Sequence, residues 1–107
     1  LGMGRPVLAD LLFKGAKVPA DRAVLVGIRD LDYRERVVIE KSGVRVFTMK
    51  DIDEHGMPSV MRQAIAIAAG SDDEPFHVSF DVDGVDPQYA PGVGTPAAGG
   101  LTYREAH

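Results

Sequence analysis

The sequence predicts an α/β fold built on a parallel sheet, and three observations carry that expectation. Short β-branched or aromatic runs at 23–28, 44–47 and 76–80 read as strands. Between them lie segments with apolar residues at helical spacing. Successive runs are separated by about 15 to 30 residues, the room that a crossover helix between parallel strands requires. The expected arrangement is a set of right-handed βαβ units with helices on both faces of the sheet.

The elements follow in order. The stretch before Ala23 reads as a short helix and a loop. Ala23-Val24-Leu25-Val26-Gly27-Ile28 is almost continuously apolar, as a strand covered on both faces should be. A helix is expected over 33–42, closed by Gly43 as a C′ residue. Val44-Arg45-Val46-Phe47 supplies the second strand. Val60, Met61, Ala64, Ile65, Ala68 and Ala69 then recur at three- and four-residue spacing, which predicts a helix over 59–69 ended by Gly70. A polar loop at 71–75 leads to the third strand, Phe76 to Phe80. Beyond it, Gly84, Gly92, Gly94, Gly99 and Gly100 are interleaved with Pro87, Pro91 and Pro96, so no regular element is possible. This irregular segment follows a strand's carboxyl end, where open α/β sheets bind ligands. At the close, Thr102-Tyr103-Arg104-Glu105 matches a capping box, the start of a helix with little chain left to continue it.

Composition narrows the function classes. The 107 residues are 45% hydrophobic, enough to bury a core, and carry a net charge of −4. With 12 Lys+Arg against 16 Asp+Glu and no basic cluster, a nucleic-acid partner is not expected. There is no cysteine, which excludes disulfides, cysteine-ligated zinc and thiol catalysis. No apolar run is long enough to span a membrane and no secretory leader opens the chain, so the default compartment is cytoplasmic. The chain starts at Leu1 and stops inside an apparent helix, and 1–107 reads as one partial domain cut at both ends.

The chemistry concentrates in Ser79-Phe80-Asp81-Val82-Asp83-Gly84-Val85-Asp86-Pro87. Two carboxylates one residue apart on a strand share a face, with Cα atoms about 6.6 Å apart. Asp81 and Asp83 could there address one or two hard divalent cations such as Mn²⁺ or Mg²⁺. The spacing fits a solvated strand end with an Asx-type turn equally well. An EF-hand is excluded, since counting from Asp81 places Asp86 at position six and Gly92 at position twelve. Counting from Asp51, position twelve is Arg62. His77 lies too far along the strand to share an ion with Asp81 and reads as a structural histidine. His55 and His107 receive no role.

Asp32 and Glu35, just after the first strand, fit a helix cap with Glu35 at N3. They also fit a pair that binds a substrate ammonium group, and the two roles are compatible. Gly92-Val93-Gly94 and Gly2-Met3-Gly4 lack the third glycine of a dinucleotide loop, with Ala97 and Val7 in its place. No Gly-x-Ser-x-Gly nucleophile turn is present.

The Ser79–Pro87 run resembles the C-terminal signature of the ureohydrolases, the family of arginase and agmatinase. The match continues through Ala90-Pro91-Gly92-Val93-Gly94-Thr95-Pro96 and Gly99-Gly100-Leu101-Thr102-Tyr103-Arg104-Glu105. It extends upstream through Gly27-Ile28-Arg29-Asp30-Leu31-Asp32 and through Phe47 to Met57, and the bacterial arginases are the nearest branch.

The resemblance implies a three-layer α/β/α fold with a binuclear Mn²⁺ centre at the carboxyl edge of the sheet. Asp81 would bridge both metals and Asp83 would bind one of them. Metal-activated water would attack the guanidinium carbon of L-arginine, giving L-ornithine and urea. Thr95 would lie close to the guanidinium, and Asp32 and Glu35 would meet the α-amino group. A homo-oligomer, trimer or hexamer, is implied for the complete protein. The family's remaining ligands, in Gly-Gly-Asp-His and Asp-Ala-His-x-Asp contexts, have no counterpart here. Its proton-shuttling His and downstream Glu are also missing, so the isolated chain is expected to be inactive. Two rival readings remain: an agmatinase or other guanidino-acid ureohydrolase, and a catalytically silent metal-binding or oligomerisation remnant.

Overall fold

The computed structural model describes residues 1–71 and 75–107. Its elements run α1 (Pro6–Ala9), β1 (Val24–Ile28), α2 (Tyr33–Ser42), β2 (Arg45–Thr48), α3 (Met49–His55), α4 (Met57–Ala69) and α5 (Tyr103–Ala106). Short 3₁₀ turns occur at Ala20–Arg22 and Val82–Gly84. β1 and β2 pair in parallel, with Val24 opposite Arg45, Leu25 opposite Val46 and Val26 opposite Phe47. The register slips between Val26 and Ile28, where Gly27 takes φ 81°. This bulge re-aims the end of β1, and the next residue is Arg29.

α2 makes the crossover over the predicted span. Its cap is reciprocal, since Asp32 accepts from the backbone of Arg34 and Glu35 while Glu35 reaches back to the Asp32 amide. Gly43 ends it with φ 77°. α3 is an element the hydrophobic spacing did not reveal. Its signal was Thr48-x-x-Asp51, a capping box in which the Asp51 carboxylate accepts from the Thr48 amide at 2.6 Å. α4 starts two residues before the predicted Ser59, because Pro58 is accommodated in its first turn.

The core is small and lies where α3 and α4 cover the sheet. Phe47, Ile52, Val60, Ala64 and Leu101 form its buried cluster, with Val24, Val26, Met49, Met57, Ile67 and Ala106 packed against them. Val60 is completely buried, and such burial is worth about 1.5–3 kcal/mol. α2 contributes no buried residue. No helix among the described residues is long and apolar enough to cross a membrane.

The α/β class with parallel pairing is the observed one, but the third strand is not. Residues 76–80 form no ladder with β1 or β2 and all are exposed. A strand is defined by its partner, and apolar β-branched composition alone supplies none. The loop expected at 71–75 lies partly, at 72–74, outside the described residues. Leu101 instead enters the core and forms an isolated parallel bridge with Val85.

Candidate active site

The acidic run sits in a turn rather than on a strand. Asp81 is extended (φ −97°, ψ 123°) and caps the 3₁₀ turn Val82–Gly84, with its Oδ1 accepting from the Asp83 amide at 3.3 Å. The strand argument for a shared face therefore does not apply. The carboxylates are brought together by the local cap of a tight turn. Asp81 is exposed and Asp83 half-buried.

Thr95 arrives from the glycine- and proline-rich segment, and its hydroxyl donates to Asp83 Oδ2 at 2.8 Å. Asp81 Oδ2 and Asp83 Oδ1 accept no hydrogen bond among the described residues. Carboxylate oxygens are hard donors that suit Mn²⁺ or Mg²⁺, so the donor chemistry fits such an ion. The set is partial, because no group of three or more His, Cys, Asp or Glu able to hold a metal occurs among the described residues. His77 is exposed and makes no hydrogen bond to a described residue, so its expected structural bonding is not found.

Two further residues, Asp86 and Arg29, organise this turn. Asp86 gathers the backbone: its Oδ1 accepts from the Gln88 amide at 2.9 Å, and its Oδ2 from Gly99 at 2.8 Å and Gly100 at 3.1 Å. The Gln88 amide does most to hold the Asp86 carboxyl below its ordinary value; burial pushes it back up, and the Gly100 and Gly99 amides lower it further. Nearby Arg29 adds a lowering charge. Arg29 itself donates from Nη2 to the Asp83 carbonyl at 2.7 Å and to the Ala97 carbonyl at 2.8 Å. Its Nε reaches Ala97 O at 3.1 Å and its Nη1 reaches Gly84 O at 3.2 Å. A signal for Asp86 was its place in an Asp-Pro turn ahead of a glycine-rich loop. Arg29 carried no local signal.

Asp32 and Glu35 form their capping box three and six residues beyond Arg29. No hydrogen bond joins this pair to Asp81, Asp83 or Thr95 among the described residues. Arg29, which follows the end of β1 and grips the acidic turn, precedes Asp32 by three residues in the chain.

Comparison with known proteins shows which family the chain resembles. The model of the arginase family matches residues 7–107. The arginase of Brevibacillus brevis is 48% identical over all 107 residues, and that of Bacillus caldovelox is 44% identical over the same length. The chain spans 36% of the length of each. The crystal structure of arginase from Bacillus cereus superposes with a TM-score of 0.89 at 46% identity, over 98% of this chain and 36% of that one.

Proposed function

The chain belongs to the arginase family, and on that footing we propose that it is part of an enzyme hydrolysing the guanidinium group of L-arginine to L-ornithine and urea. The observation that carries this reading is the Thr95–Asp83 hydrogen bond of 2.8 Å. It joins two residues twelve positions apart, in the two runs that carry the resemblance to the family signature. In this reading Asp81 and Asp83 hold part of a binuclear Mn²⁺ site, completed by donors elsewhere in the complete protein. When bound, the metals would lower the pKa of bound water and so supply the nucleophile for the guanidinium carbon.

The chain's own residues do the positioning. Thr95 donates to Asp83 Oδ2, which leaves Oδ1 to face a cation. Because that hydroxyl donates to the carboxylate, its lone pairs remain available to a guanidinium N–H. Asp32 and Glu35 hold each other through the cap of α2 and present negative charge towards an α-ammonium group. Agmatine keeps both the amine and the guanidinium and lacks only the α-carboxyl, so this pair alone does not choose between the two. The match of Asp32, Glu35 and Tyr103 to the arginase branch is what favours arginine. The reading extends to a cytoplasmic homo-oligomer, trimer or hexamer, as the family implies.

Urea release from arginine and from agmatine by the complete protein tests the proposal. Preference for arginine is the expected result. Preference for agmatine would overturn the substrate assignment, and no release from either would overturn the activity.

A further inference from the structure

We propose that Arg29 is a positioning residue for the Asp81–Asp83 pair, its guanidinium locking the acidic turn and the Thr95 loop in one register. The inference rests on the metal-binding role proposed above. Arg29 makes four hydrogen bonds to three carbonyls, those of Asp83, Gly84 and Ala97. The Asp83 carbonyl belongs to the residue whose carboxylate is assigned to the metal. The Ala97 carbonyl lies two residues beyond Thr95, the partner of that carboxylate. Gly84 O also accepts from the Leu101 amide at 3.0 Å, which ties the same turn to the core. One side chain thus fixes both segments that meet in the Asp83–Thr95 contact.

The chemistry of the clamp is specific to arginine. A guanidinium presents five N–H donors in a rigid planar fork, and this one spans carbonyls on two segments at once. A lysine ammonium keeps the charge but radiates three donors from one point and cannot reproduce that span. The partners are neutral carbonyls, so the grip is a set of directed hydrogen bonds and not an ion pair. Arg29 is also absent from the core cluster, which is built without it. Its hydrogen bonds go to the two loops and not to the core side chains.

The test uses the complete protein with Arg29→Lys, beside the parent and Asp83→Asn. Mn²⁺ affinity is measured by calorimetry, folding by circular dichroism, and urea release at limiting and at excess Mn²⁺. Arg29→Lys is expected to keep the parent's fold and to bind Mn²⁺ about 10- to 100-fold more weakly. Its activity should recover at excess metal, which a merely structural lesion would not allow. Unchanged Mn²⁺ affinity would overturn the clamp, and so would loss of the fold in this conservative variant. Asp83→Asn separates the two claims: if it binds Mn²⁺ as the parent does, the metal-site reading itself fails. If Asp83→Asn loses binding while Arg29→Lys does not, only the positioning role is refuted.

Discussion

Gly100→Ala is the substitution the geometry penalises most sharply in the candidate site. A Cβ there would lie 2.6 Å from the Asp86 nitrogen, 2.8 Å from the Gly84 oxygen and 2.8 Å from the Val85 carbonyl carbon. All three are backbone atoms, so no side chain can swing aside, and the turn carrying Asp83 must move away from Leu101. Forcing extra volume into such a contact costs about 1–3 kcal/mol. The same displacement stretches two bonds, Leu101 N–H to Gly84 O at 3.0 Å and Asp86 N–H to Leu101 O at 2.9 Å. Each is worth about 1 kcal/mol net and stretching forfeits about half of that, so the local cost is about 2–4 kcal/mol. Hydrogen exchange of the Asp86 and Leu101 amides in the complete protein reads that quantity directly. Protection there should fall by roughly 30- to 700-fold, since every 1.4 kcal/mol is tenfold. Gly94→Ala is the control, because its Cβ would meet nothing within 4 Å. Equal protection in the two variants would refute the reasoning.

Three further outcomes follow from the same contacts. Asp32→Asn should leave stability unchanged, because Asn caps a helix as well as Asp does, whereas Asp32→Ala should cost about 1 kcal/mol. Both should raise KM for arginine, and an unchanged KM in both would remove the substrate role. Asp86 has a folded pKa depressed by its backbone donors, so its stabilising effect is complete above the ordinary value of 3.8 and is lost as pH falls through the lower folded value. Asp86→Asn should flatten that part of an acid titration of the loop's amide protection, and an identical acid limb would contradict it. Thr95→Val should weaken Mn²⁺ binding by about tenfold by removing the donor to Asp83, while Thr95→Ser should restore it.

The parts legible in the sequence were those set by local rules. α2 was bounded by Asp32, Glu35 and Gly43, and β1 by its continuous apolar run. The helix over 59–69 followed from the spacing of Val60, Ala64 and Ala69, all of which are buried. What failed needed a partner. Phe76 to Phe80 has strand composition without a neighbour to pair with. Asp81 and Asp83 are gathered by a cap and not by strand parity. α3 was concealed because its short span, Met49–His55, buries Ile52 alone and offers no repeating stripe. Arg29 and Asp86 act across the chain on backbone groups of distant residues. Such contacts depend on where the backbone goes, which no local pattern of side chains records.

The assignment of Asp81 and Asp83 to a metal centre is tested most directly by titrating Mn²⁺ into the complete protein with both residues changed to Asn. Asn keeps the size of each side chain and, through its carbonyl oxygen, can still cap the turn, but it removes both negative charges. Calorimetry should show binding by the parent and its loss in the double variant. Binding of the same stoichiometry and affinity in both proteins would contradict the assignment.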